Sequence, residues 1–168
     1  MAARFLVHRY AKRGVLVKLR NGLYSLADHP PSELAVANRL YEPSYLSFEW
    51  ALSYYHLIPE TTYVITSATS RPTRVLTALD KTFEYHRVKA SAFTGYEPVK
   101  VGGETVLIAT PEKALVDSVY FSDLRRRLLN DRLDLRAVNW RRVEACARLF
   151  ERPSLHERLR RLRMGRRE

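Results

Sequence analysis

A short basic helix followed at once by a tight hairpin constrains the fold of this chain more than any other feature of its sequence. Residues 3–13 repeat apolar side chains at helical spacing, and Gly14 stands where a helix commonly ends. Asn21-Gly22 then separates two short alternating runs within 15–26, and this dipeptide favours a hairpin because both turn positions need positive φ. The pattern predicts a partial winged helix, in which a recognition helix is followed by a β-hairpin wing. The alternative is an ordinary helix and hairpin that cap another domain.

The net charge of +11 is distributed unevenly along the 168 residues. Residues 1–27 carry six Lys or Arg and no acid, and residues 125–168 carry 15 Arg against six acids. The segment between them, 28–124, is mildly acidic, with 12 acids against eight Lys or Arg. Two cationic ends suggest a polyanionic partner, because Lys and Arg gain affinity by displacing counterions from phosphates. For the C-terminal block, a merely solvated surface of basic helices is an equal alternative.

In a winged helix, the recognition helix enters the major groove of DNA and the wing meets the backbone. The sequence therefore predicts double-stranded DNA as a partner. The predicted DNA contacts are the polar residues of the helix, Arg4, His8, Arg9, Lys12 and Arg13, and those of the wing, Lys18, Arg20 and Asn21.

Helical and extended patterns alternate through the middle of the chain, which predicts an α+β fold class. We divide the chain into a partial winged-helix module at 1–27, a mixed α+β domain at 28–122 and an Arg-rich helical tail at 123–168. No apolar run reaches the roughly 18 residues of a membrane span. The start of the chain also lacks the pattern of a signal peptide, so we expect a cytoplasmic protein that does not contact a membrane.

Several helix starts carry local signals. Ser47 is placed to cap a helix over 48–56, and Thr110 precedes Pro and Glu in the order that favours a helix N-terminus. In the tail we expect helices at 123–130 and 134–150. A capping box at 154–157 predicts the start of the last helix.

A set of short motifs resembles the AbiEi family of type IV toxin–antitoxin antitoxins. The resemblance covers about residues 3–165, and its most specific motif is Ile-Ala-Thr-Pro-Glu-Lys-Ala-Leu at 108–115. The other motifs follow the family order at 13–24, 45–49, 51–60, 65–67 and 83–86. The resemblance implies a winged helix that binds inverted repeats in its own promoter. It also implies a C-terminal domain that neutralises a nucleotidyltransferase-like toxin, in a system of phage defence.

The chain departs from the family pattern in two places. The family has two or so further helices before the one at 3–13, so this chain begins inside the winged helix. We expect either a truncated start or a member that lacks the scaffold of the recognition helix. His56 stands where relatives often have glycine, and at positive φ a histidine is strained but tolerated.

The sequence predicts no catalytic centre, no metal site and no cofactor. The five histidines stand singly, Cys146 is the one cysteine, and no Gly-rich phosphate loop is present. His86, next to Arg87 and near Glu84, loosely suits an RNA-cleaving site, although a lone strand histidine is more often structural.

Four residues are candidates for contacts to a protein partner or an anion: Arg71, Arg74, His86 and Lys113. Arg71 and Arg74 lie in a hydroxyl-rich loop that could hold a phosphate or a carboxylate, or that is simply solvated. Lys113 is placed either for a partner contact or for an i,i+4 pair with Asp117 within its own helix.

The leading hypothesis is therefore an antitoxin that represses its own operon and has no catalytic activity. A protein-binding antitoxin module without useful DNA binding is the first alternative, and an RNA-processing enzyme is the second. The oligomeric state, the operator and the toxin stay open.

Overall fold

The computed structural model describes residues 2–165, with side chains from Phe5 onward. This part of the chain contains six α-helices and eight β-strands. In chain order they are α1 (Ala2–Lys12), β1 (Leu16–Arg20), β2 (Leu23–Leu26), α2 (Glu33–Leu40), β3 (Ser44–Leu46), α3 (Phe48–Tyr54), β4 (Ile65–Thr69), β5 (Arg74–Ala78), β6 (Lys81–Arg87), β7 (Tyr96–Val101), β8 (Glu104–Ala109), α4 (Pro111–Asp123), α5 (Trp140–Arg148) and α6 (Pro153–Arg163).

Six strands form one mixed sheet in the order β5-β6-β4-β3-β8-β7. β3 pairs with β8 and β4 pairs with β6 in parallel, whereas the other three pairings are antiparallel. β1 and β2 form a separate antiparallel hairpin. The predicted α+β class is confirmed.

Helix α4 is the central helix of the core. Eleven of its 13 residues are buried, and it packs against α3, α5 and α6. A helix buried on all sides does not need an amphipathic pattern. Its predicted start is confirmed, because the Thr110 hydroxyl accepts a hydrogen bond from the Lys113 backbone N–H at 3.3 Å.

The β1–β2 hairpin joins the same hydrophobic core as the large sheet. Leu19 is buried and belongs to the core cluster, and β1 contacts both α2 and β5. Residues on either side of Leu19 face the opposite way, since side chains alternate along a strand. Lys18 and Arg20 are consequently exposed.

The predicted helices at 123–130 and 134–150 are partly wrong. Helix α4 ends at Asp123, and Arg125 then takes a φ of 54°, which a continuing helix does not allow. Between 130 and 139 the chain is irregular, because Asn130 and Asp134 accept hydrogen bonds from backbone N–H groups two residues on. The second helix begins only at Trp140, where the Asn139 side chain caps it.

Ser47 is the N-cap residue of α3 as predicted, but neither its side chain nor that of Ser154 caps a helix. The Ser47 side chain makes no capping hydrogen bond and instead donates to Asp117, in the core, at 2.7 Å. The Ser154 hydroxyl donates to Asp123 at 2.7 Å, and α6 begins one residue earlier, at Pro153. In both cases the serine hydroxyl is held by a charge-assisted hydrogen bond to a carboxylate that is distant in the chain, and water can satisfy the N–H groups of the helix end. His56 takes a φ of 57°, which lies in the region where a histidine is strained but tolerated.

Candidate functional site

The basic side chains of α1 and the β1–β2 hairpin form an exposed surface, which we call the basic surface. Its described members are His8, Arg9, Lys12, Arg13, Lys18, Arg20 and Asn21, and all seven are exposed. Among the described residues, none of these side chains makes a hydrogen bond or an ion pair. The side chain of Arg4, the eighth predicted contact, lies outside the described residues. The basic surface is therefore acid-free and electrostatically uncompensated.

Helix α1 also has an exposed apolar face. Phe5 is 76% exposed, Leu6 42% and Tyr10 41%. The main packing partner of α1 is β1, which lies next to it in the chain. The apolar residues that predict this helix are thus not covered by the described core.

Arg71 and Arg74 lie beside the hairpin, and the sequence did not predict this proximity. The guanidinium of Arg71 stacks 4.4 Å from the centre of the Tyr41 ring, and that of Arg74 lies 5.8 Å away. Arg71 is also held by a 3.0 Å hydrogen bond from its Nη1 to the Glu42 carbonyl.

Tyr41 packs against a second tyrosine of the sheet. The rings of Tyr41 and Tyr85 lie 5.1 Å apart. Burial raises the pKa of the Tyr85 hydroxyl, and the positive charge of Arg20 opposes this shift. Two cations of the sheet edge, Arg71 and Arg74, therefore lie over the Tyr41 ring, and the charge of Arg20 of the hairpin acts on the neighbouring Tyr85.

A second polar cluster joins Glu49 of α3, Glu84 and His86 of β6, and Arg127 of the segment after α4. Arg127 Nη1 lies 2.8 Å from Glu84 Oε2, and Nη2 lies 2.9 Å from Glu49 Oε2. The side chains of all four residues are between 13% and 27% exposed. Glu49 and Arg127 were not predicted, since they lie 35 and 43 residues from Glu84 and no local spacing links them.

His86 lies between an arginine and a carboxylate. Its Nε2 lies 2.6 Å from Arg127 Nη1 and 3.1 Å from Glu84 Oε2. Arginine only donates and an ionised carboxylate only accepts, so Nε2 accepts from Arg127 in one tautomer of the ring and donates to Glu84 in the other. Burial and the charge of Arg127 lower the pKa of His86, which favours a neutral ring. In either tautomer Nε2 is in contact with a side chain of the same cluster.

The electrostatics of Glu84 follow from the same contacts. Burial acts to raise the pKa of its carboxyl, but the hydrogen bond and charge of Arg127 outweigh burial and lower the pKa below its usual range. For Arg127 the balance is similar, since burial opposes ionisation while Glu49 and Glu84 raise the pKa of the guanidinium. The cluster is thus a charged network with a neutral histidine at its edge.

Lys113 lies in the core and not on the surface. Its ammonium pairs with Asp117 Oδ1, and both side chains are fully buried. Asp117 Oδ2 also accepts hydrogen bonds from Ser47 at 2.7 Å and from Tyr45 at 3.1 Å. The ammonium lies 4.9 Å from the centre of the Phe150 ring. The predicted i,i+4 pair is confirmed, whereas a partner contact by Lys113 is incompatible with its burial.

The predicted candidates therefore lie at four separate places. The DNA contacts form the basic surface, Arg71 and Arg74 lie beside it, His86 belongs to the charged network, and Lys113 is in the core. No group of three or more His, Cys, Asp or Glu side chains within residues 5–165 is arranged to hold a metal ion. None of the described helices combines the length and apolarity needed to cross a membrane.

Comparison with known proteins adds no assignment. The chain matches no protein-family model, and no curated protein shows significant sequence similarity to it.

Proposed function

We propose that the chain is an antitoxin that binds double-stranded DNA and represses its own operon, with no catalytic activity of its own. In this proposal α1 and the β1–β2 hairpin act as the recognition helix and wing of a partial winged helix. The partner protein is a nucleotidyltransferase-like toxin, and the cell compartment is the cytoplasm. The observation that carries the DNA-binding part is the basic surface, with its seven exposed and unpaired polar side chains.

No described cation of the basic surface lies in an ion pair, whereas about half of the C-terminal arginines do. Of the 13 described arginines after Asp123, seven lie in ion pairs with Asp or Glu: Arg127, Arg132, Arg136, Arg152, Arg158, Arg161 and Arg163. A cation already paired with a carboxylate gains less from a phosphate than an unpaired one does. This difference favours α1 and the hairpin as the first point of contact with DNA.

We expect Arg9→Ala to weaken binding to the chain's own promoter, because it removes one uncompensated cation from the last turn of α1. The loss of one phosphate contact should make the slope of log affinity against log salt less steep by about 0.9. Fluorescence anisotropy on a labelled promoter duplex, at four or more salt concentrations, measures both quantities.

Lys100→Ala is the matched control for this experiment. Lys100 is an exposed cation on β7, which is the sheet edge opposite the β5 edge that the hairpin contacts. Its removal should change neither the affinity nor the slope. Equal effects of Arg9→Ala and Lys100→Ala would mean that DNA binding depends on total charge and not on the basic surface.

The toxin-neutralising part is tested separately by co-expression. Wild-type chain and Arg9→Ala should both rescue cells from the toxin encoded next to this gene, since the proposal assigns neutralisation to the α+β domain. Rescue by both variants without promoter binding by either would favour the protein-binding module alone. Failure of the wild type to rescue would contradict the antitoxin assignment.

The RNA-processing alternative is favoured by one observation, the meeting of Glu84, His86 and Arg127 within 3.1 Å of one another. Against it, Nε2 of His86, the atom that a general base would use, is already in contact with Arg127 and Glu84. The RNA-processing alternative would be supported if the wild type cleaved a labelled RNA pool and His86→Ala abolished this cleavage.

A further inference from the structure

A concave cleft opens between the segment that follows α4 and helix α6. It has a volume of about 720 Å³, and five arginines line it. Three come from consecutive positions, Arg125, Arg126 and Arg127, and two from α6, Arg158 and Arg161. We call this site the arginine cleft.

The five arginines differ in the contacts they already make. Arg127 is held by Glu49 and Glu84 in the charged network. Two carboxylates also line the cleft, and each is paired: Asp123 lies 4.0 Å from Arg158, and Glu157 lies 2.6 Å from Arg161. Arg125 and Arg126 are exposed, and their side chains make no hydrogen bond or ion pair within the described part of the chain. The wall after α4 therefore presents two adjacent guanidinium groups with open donors. Guanidinium groups match phosphate oxygens in charge and geometry.

An apolar hollow continues directly from the cleft. This hollow has a volume of about 570 Å³ and shares Ser122, Leu128, Arg158 and Arg161 with the cleft. The rest of its lining is mostly apolar, with Leu129, Leu133, Leu135 and Leu162 beside the polar Asn130 and Asp131. Leu128 stands between the two spaces and is 94% exposed. A charged end and an apolar end thus lie side by side in one depression.

We propose that the arginine cleft binds a free nucleotide, with its phosphates on Arg125 and Arg126 and its base over the leucines of the hollow. Each space has a size typical of small-molecule sites, about 300–1,000 Å³. A concave site with one basic and one apolar end suits a compact ligand better than the straight backbone of a DNA duplex. This inference does not depend on the proposed function, because it uses no residue of α1 or the hairpin.

Isothermal titration calorimetry of the full chain with ATP, GTP and inorganic tripolyphosphate tests the proposal. The wild type should bind at least one nucleoside triphosphate more tightly than tripolyphosphate, because only a nucleotide has a base that can pack against the leucines of the hollow. Arg125→Ala/Arg126→Ala should weaken nucleotide binding by about tenfold or more, since it removes the two open phosphate donors.

Arg141→Ala/Arg142→Ala is the matched control. It removes the same charge from two consecutive exposed arginines of α5, which line neither the cleft nor the hollow. The control should bind nucleotide as the wild type does. Equal losses in the two double variants, or no nucleotide binding by the wild type at millimolar concentration, would overturn the proposal. So would binding of a 5′-phosphorylated single-stranded oligonucleotide without binding of the triphosphates, because it would assign the cleft to a nucleic-acid strand.

Discussion

Replacing Asp117 with alanine is expected to lower the free energy of unfolding by about 3–5 kcal/mol, as is typical when one partner of a buried ion pair is removed. The change leaves the ammonium of Lys113 in the core without its carboxylate. It also removes the acceptor of the Ser47 and Tyr45 hydroxyls, and neither side chain can turn to solvent. Urea unfolding followed by circular dichroism measures the loss.

Comparison with a second variant isolates the role of the carboxylate. Lys113→Met keeps both hydroxyl donors on Asp117 and fills nearly the same volume, so it should destabilise the protein less than Asp117→Ala does. Ser118→Ala, on the same helix, removes one hydrogen bond to the Ala114 carbonyl and should cost about 1 kcal/mol. If Asp117→Ala cost no more than Ser118→Ala, the ion pair would not stabilise the core as described.

Arg127→Met should lower the free energy of unfolding by about 2 kcal/mol, because hydrogen bonds to charged groups contribute roughly that much. The substitution leaves Glu49 and Glu84 together without the cation that holds them. Arg132→Ala is the matched control, since Arg132 pairs with Glu60 while 65% exposed, and an exposed pair contributes at most about 1 kcal/mol. Equal losses in both variants would show that the charged network stabilises no more than a surface pair.

The same substitution should change how His86 titrates. In the wild type its pKa lies below the ordinary value of 6.5, so this residue stabilises the fold above that pH and the contribution is lost as pH falls. The lowered pKa of Glu84 acts in the same direction at more acid pH. Without Arg127 the two carboxylates favour the protonated ring, so the pKa of His86 should rise. A histidine titration by NMR would refute this explanation if the pKa of His86 stayed the same or fell.

Helix starts and turns that depend on neighbouring residues could be predicted from the sequence. Thr110 caps α4 as expected, and Asn21-Gly22 forms the turn between β1 and β2, although of these two residues only Gly22 takes a positive φ, 82°. The same holds for the Lys113–Asp117 pair, because residues four apart meet on one face of any helix. These predictions succeeded because the interacting groups lie within a few residues of each other.

The two serine-cap predictions failed because a carboxylate that is distant in the chain binds the hydroxyl of each serine. Ser47 and Ser154 have the composition of caps, yet Asp117 and Asp123 take their hydroxyls once the chain is folded. Strand β5 was not predicted at all, since its side chains are mostly exposed and its register is set by pairing with β6.

The sequence by itself determined the basic helix, the hairpin that follows it and the absence of acids from both, because charge and turn chemistry are local properties. Only the tertiary structure decided which charges are open to a partner. Folding buries Lys113 with Asp117, commits Arg127 to two glutamates, and leaves the basic surface and the pair Arg125 and Arg126 unpaired. The Lys113–Asp117 pair lies within one helix, so only its burial needed the tertiary structure. For Arg127 the physical reason is that its two carboxylates lie 43 and 78 residues away in the chain, and spacing along the chain does not record such encounters.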